Sequence, residues 1–361
     1  MRKLAMLYLS FFAIFTAFGC NDGNYGDENQ DNIPDATLIW KRNFEEYPFN
    51  SVHANNSRVF VCANYTLFSL NSDSGNIEWQ EDDFIRSFIL RDNYIYKLTN
   101  SRQIVVLNAN DGSRVWESES SRRVKSYEAG YGKAFIVYEY NDWYFHSVFE
   151  VVDEGNWNKL YEGCCCNFHD LVCGDGYFFF SVYTKDSYTL EENSNIYALN
   201  ANTLKYDWSD GSSMVGEPIP LFNVCGSLLF NQYYKGGNIE ARSTRIGEIK
   251  WVDLDFWEFL NVFSASGRIF YNVLSPSSAL ICKNSESGST YWSKRNYWGM
   301  CASKNRVFAS YDNKIYALDV MDGSPVWMLN KDNSPWHGTC NEKLFFGKNE
   351  KTLYAVSIDN Q

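Results

Sequence analysis

The densest run of reactive side chains is Cys164-Cys165-Cys166, with His169 and Cys173 close behind it. Thiolates and imidazoles are ligands for soft metals, and adjacent cysteines can close a vicinal disulfide in an oxidising compartment. The spacing Cys-x₂-His-x₃-Cys is not a standard zinc pattern, and ligands on one strand alternate between faces, which scatters them. Three readings follow: a vicinal disulfide, a soft-metal or redox site, or inert thiols; no bound metal is expected. Beyond Cys20 and this run lie Cys62, Cys225, Cys282, Cys301 and Cys340. Small apolar thiols pack well at crowded positions, and that is the plainer reading of these five; disulfides across neighbouring repeats, Cys173 with Cys225 and Cys301 with Cys340, are the alternative.

Two aromatic pairs, Tyr297-Trp298 and Trp336-His337, also have chemistry to offer. An indole beside an imidazole can hold a flat ligand or a sugar ring, although such residues more often fill a core. The chain has 4 histidines in all. No Ser-His-Asp order, paired acids or Gly-rich phosphate loop stands in a suitable setting, so no catalytic residue is assigned. Asp82-Asp83 and Glu191-Glu192 read as solvated loop charges.

The formal net charge of −12 repels phosphates, so nucleic acid is excluded as a partner class. Hydrophobic residues make up 45% and aromatics 17% of the chain, ample for a packed core.

The amino terminus carries an address. A short basic start, Met1-Arg2-Lys3, precedes an uncharged, mostly apolar run from Leu4 to Phe18, too short to span a bilayer comfortably. It ends in Ala17-Phe18-Gly19-Cys20. Residues 1–19 read as a signal peptide and Cys20 as a lipidation site, with ordinary secretion and an uncleaved anchor as alternatives. Residues 20–35 carry five acids and no base, and read as a flexible tether.

The elements that must position these side chains are set by a repeat. An aromatic returns every 35–47 residues: Trp40, Trp79, Trp116, Tyr161, Trp208, Trp251, Trp292 and Trp327. Eight positions before it stands a short polar residue (Asn71, Asn108, Asp153, Asn200, Ser243, Asn284, Asp319), and four before it usually a glycine (Gly75, Gly112, Gly247, Gly288, Gly323). Trp157 and Leu204 replace that glycine in the third and fourth units. Asn and Asp bond their own backbone in turns, Gly supplies positive φ, and the flanks are β-branched and aromatic, so the unit is a hairpin. A further strand precedes each hairpin, as in Arg58–Cys62 and Arg306–Ser310, giving about four strands per period. This predicts an all-β chain over residues 36–361: an eight-bladed β-propeller of four-stranded antiparallel blades. The last unit, Leu353–Ser357, lacks its tryptophan strand, whereas Leu38-Ile39-Trp40 has no unit before it. The amino-terminal strand is therefore expected to join the last blade and close the ring.

The Ala-x-Asp-x-x-x-Gly-x-x-x-Trp pattern resembles the repeat of the PQQ-like, or quinoprotein alcohol dehydrogenase-like, propellers. The same repeat occurs in the outer-membrane assembly lipoproteins. The resemblance implies that the repeated aromatics dock neighbouring blades, and two functions follow from it. One is a non-catalytic scaffold, lipid-anchored on the periplasmic or outer face of the outer membrane, with envelope proteins as partners and no cofactor. The other is a redox enzyme holding PQQ with calcium, in which a vicinal disulfide within Cys164-Cys165-Cys166 would stand against the cofactor. A surface module for glycan or peptide is a third reading.

Overall fold

The computed structural model describes residues 33–44, 49–83, 85–119, 121–139, 146–166, 168–185, 192–210, 221–233, 238–253, 259–274, 278–303, 305–330, 338–340, 343–348 and 351–358. Residues 1–32, which hold the stretch read as a signal peptide, Cys20 and most of the stretch read as a tether, lie outside them, as do Trp336 and His337.

Each repeat folds as expected into a four-stranded antiparallel sheet, and eight such sheets form an eight-bladed propeller within the compact unit Pro34–Gln361. The innermost strands, one per blade, are Phe49–Ala54, Ile85–Arg91, Arg123–Gly130, Phe168–Gly174, Leu221–Cys225, Phe259–Ala265, Trp298–Ala302 and Gly338–Cys340. Each lies against the innermost strand of the next blade, and the eighth returns to the first, so the ring is closed. The outermost strands of blades one to seven are Ile77–Asp82, Arg114–Glu117, Lys159–Cys166, Tyr206–Asp210, Ile249–Asp253, Thr290–Arg295 and Pro325–Asn330. Blade eight takes its outermost strand from the amino terminus: Leu38–Asn43 pairs antiparallel with Thr352–Ser357. Pro34–Ala36 also bonds to Met328 of blade seven, so the end of the stretch read as tether is paired with that blade.

The second and third strands of each blade are buried on both faces and form the core: Val59, Phe60 and Val61 in blade one, and Phe178, Phe179 and Phe180 in blade four, are almost wholly inaccessible. Continuous apolar runs are what a strand covered on both sides requires. The two ends of the ring differ. At one end, the connection from third to outermost strand has the same length in seven blades (72–76, 109–113, 154–158, 201–205, 244–248, 285–289, 320–324), and innermost-to-second turns are as short as residues 92–93. At the other end the spacing between strands varies widely: one strand ends at Cys166 and the next opens at Phe168, whereas another ends at Asp210 and the next opens at Leu221. We call these the turn end and the loop end.

Candidate functional site

The repeated aromatics sit at the turn end. The Nε1–H groups of Trp40, Trp79, Trp208, Trp251, Trp292 and Trp327 donate to the carbonyls of Ser72, Ala109, Thr244, Ser285, Val320 and Ile358, each in the following blade, at 2.7–3.3 Å. Five of these indoles lie over the turn glycine of that blade. A Cβ built on Gly75, Gly112, Gly247, Gly288 or Gly323 would fall 2.7–2.9 Å from the ring, and each has φ near +70°. Asn71 Oδ1 accepts from the backbone N–H groups of Asp73 and Ser74 in the same turn, and Asn200 and Asn284 act likewise. A one-residue register slip precedes each aromatic in all eight blades, as between Ser69 and Leu70 opposite Ile77–Trp79. Such bulges turn a side chain out of the ordinary alternation, here towards the neighbouring blade.

The irregular units solve the same problem with larger side chains. Trp157 and Leu204 take the positive φ that glycine takes elsewhere, at 59° and 54°. Trp157 stacks on Trp116 with ring centroids 5.7 Å apart and an interplanar angle of 19°, while Tyr161 and Leu204 pack in one apolar cluster.

The cysteine and histidine cluster is divided between two blades. Cys164, Cys165 and Cys166 lie on the outermost strand of blade three, their backbone paired with Val148, Ser147 and His146; their side chains lie outside the described residues. His169 and Cys173 lie on the innermost strand of blade four, the first near its loop end and the second near its turn end. Cys173 is a free thiol whose Sγ donates to the Ala129 carbonyl of blade three at 3.1 Å. Cys225, on the innermost strand of blade five, is also free, so the cross-blade disulfide between the two is not formed. Burial pushes the thiols of Cys62, Cys173 and Cys282 up to about 11, which leaves them protonated and poorly nucleophilic at neutral pH. Cys282 stands opposite Trp292, where the other blades place Ser, Ala or Val, so a small side chain suffices there. Trp298 opens the innermost strand of blade seven, half-buried, after Tyr297, which stacks on Tyr311 at 4.7 Å.

Several polar groups gave no sequence signal. Lys97 is fully buried in blade two and pairs with Glu81 at 2.7 Å and Asp83 at 2.9 Å, both from the end of blade one. Asp83 is thus an inter-blade counter-ion rather than a solvated loop charge, because a buried ammonium needs neutralising. Arg242 with Asp210, and Lys283 with Asp253 at 2.6 Å, repeat this arrangement between later blades. Near the axis at the turn end, Arg91 bonds Glu128 at 2.9 Å and the Ala129 carbonyl at 3.2 Å. His53 packs edge-on against Phe88, and burial together with Arg91 lowers its pKa to about 4.

At the loop end, a second set of bulges is found. Seven innermost strands skip one residue near their start: Asn50, Arg86, Lys125, His169, Phe222, Asn261 and Met300. Arg86, Lys125 and His169 come from consecutive blades and are exposed, whereas the residues before them, Ile85, Val124 and Phe168, are buried.

A family model described as outer membrane protein assembly factor BamB matches residues 32–130. No curated protein is significantly similar in sequence. Among solved structures, the computationally designed protein Ika8 superposes with a TM-score of 0.68 at 12% identity, over 89% of this chain and 99% of that one. BamB from Moraxella catarrhalis gives 0.58 at 12% identity, over 89% and 99%. The quinohemoprotein alcohol dehydrogenase ADHIIG from Pseudomonas putida HK5 gives 0.62 at 10% identity, over 92% and 77%. At these identities the structural likeness carries the fold, and adaptor and enzyme share it. The repeat, the docked indoles and the structural likenesses together show an eight-bladed β-propeller, whose residues 32–130 match the BamB-like family model.

Proposed function

We propose that this protein is a non-catalytic adaptor, exported and lipid-anchored through Cys20, that holds protein partners at the cell envelope. The observation that carries this reading is the contrast between the two ends of the ring. The turn end repeats one solution in blade after blade, whereas connection length varies only mildly there and widely at the loop end. Surface connections of varied length on a rigid scaffold are where recognition is ordinarily built. The match to an outer-membrane assembly factor supports the same reading. No described helix is long and apolar enough to cross a membrane, and attachment in this reading is through the Cys20 lipid.

The quinoprotein reading asks for a calcium site and a disulfide against an axial cofactor. Calcium takes several oxygen ligands, yet the exposed bulge residues described around the axis are Arg86, Lys125 and His169. Cys164 and Cys165 stand on an outermost strand rather than an innermost one. This placement supports the adaptor reading over the enzyme.

Crosslinking and mass spectrometry in native membranes test the adaptor. The expected result is a reproducible partner crosslinked through loop-end lysines such as Lys125 and Lys314 rather than turn-end Lys133 and Lys343. Turnover of an alcohol by protein incubated with PQQ and Ca²⁺ would replace this reading with the enzyme. Separately, Cys20→Ser is expected to move the protein from the membrane fraction to the soluble fraction; unchanged fractionation would remove the lipid anchor from the proposal.

A further inference from the structure

The bulges on the innermost strands make a surface that the repeat does not require. In blades two, three and four the extra residue is Arg86, Lys125 and His169. The three strands are neighbours in the ring, so these side chains share one arc of the axial opening at the loop end. Burial lowers the His169 pKa, opposed by the adjacent Asp170 and reinforced by Lys125, which places Lys125 near it. The arc is basic in a chain whose net charge is −12.

Several acids of blades one to four already have partners. Asp83 pairs with Lys97 at 2.9 Å, Glu139 with Arg102, and Glu150 with Arg122 at 2.5 Å. The Asp170 carboxylate accepts the backbone N–H groups of Leu171 and Leu221 at 3.0 and 3.1 Å. Among the described residues, neither Arg86 nor Lys125 takes part in an ion pair. Directly after the bulge, Ser87 and Ser126 add hydroxyl donors on the same two strands.

We propose that Arg86, Lys125 and His169 form an anion-recognising arc that receives the side-chain carboxylates of an acidic peptide segment on a protein partner. This deepens the adaptor reading and rests on it for the existence of that partner. A guanidinium takes a carboxylate through two parallel N–H bonds, and an ammonium and an imidazole add point contacts. The small cluster suits two or three carboxylates on a short segment. A long polyanion would meet repulsion from the rest of the acidic surface, which argues against nucleic acid and anionic membrane.

The test uses the full chain in detergent and a fluorescein-labelled octaglutamate peptide, read by anisotropy at low salt. Wild type is expected to bind. Arg86→Gln with Lys125→Gln is expected to weaken binding about tenfold and to flatten its salt dependence, in line with losing two exposed charge contacts. Lys125→Arg, which keeps the charge, should retain binding. Arg245→Gln, which removes an exposed turn-end charge, should change it less than about twofold. Melting temperatures report whether each variant is folded. An unaffected double variant, an equal loss in Arg245→Gln, or tripolyphosphate displacing the peptide at equal charge concentration would overturn the assignment. If a crosslinked partner persists in the double variant while octaglutamate binding is lost, the arc stands as an anion site but not as the partner's site. If the peptide binds as expected and no partner is ever captured, the adaptor reading fails and the arc stands.

Discussion

Gly247 shows what one side chain's absence does for this fold. Its φ of +71° disfavours any L-residue, and a Cβ there would lie 2.7 Å from the Trp208 ring. Gly132 has nearly the same φ, +69°, but nothing within 4 Å of its Cβ position. Gly132→Ala is therefore expected to cost about 1 kcal/mol, from backbone strain alone. Gly247→Ala should cost about 2–4 kcal/mol, because the indole must shift as well. Urea unfolding of the two variants against wild type measures the difference, and equal losses would mean that docking on the glycine contributes little. His53 supplies a second prediction. Its folded pKa of about 4 lies below the unfolded value near 6.5, so the unfolded chain takes up the proton first as pH falls. Its contribution is fully present above about pH 6.5 and is lost towards pH 4. His53→Gln, which cannot take that proton, should lose less stability over this window, by on the order of 1–3 kcal/mol. Parallel curves of melting temperature against pH for the two proteins would rule this out.

At the level of elements, the strand Leu38–Asn43 does most for closure. It satisfies the open edge of blade eight and brings Trp40 over Gly75 of blade one. Its indole also donates to Ser72 at 2.9 Å. Each docked indole is worth on the order of 4–5 kcal/mol by buried area before ordering entropy is charged. Deleting residues 38–43 should lower the melting temperature severely or abolish the cooperative transition, whereas deleting 21–31 should leave it nearly unchanged. Similar losses in the two truncations would show that the ring does not depend on this strand. The turn hairpins were legible in the residues themselves, since Asn, Asp and Gly at those offsets have few other uses. The bulges were not, because a one-residue slip leaves no composition signal, and it is the bulges that aim both the docking indoles and the axial Arg86, Lys125 and His169.

For the whole molecule, the distinction between ends matters more than any single cluster. Sequence spacing gathered Cys164–Cys166, His169 and Cys173 into one candidate; the fold distributes them from an outermost strand to both ends of an innermost one. Proximity along the chain was misleading because Cys166 ends one blade and Phe168 opens the next. Conversely, Lys97 with Glu81 and Asp83 is a contact between blades that no local pattern announces.

The number of blades, the strand order within them and the strand that closes the ring all follow from a period near 40 residues, because each repeat is one unit that cannot bury its apolar faces alone. Those conclusions needed only residue types at fixed offsets. Which charges neutralise one another, which way each indole points, and which three basic residues share the axial opening are set by neighbours one blade apart. Such partners are far apart in the chain, as Trp40 is from Ser72, and only closure of the ring brings them together.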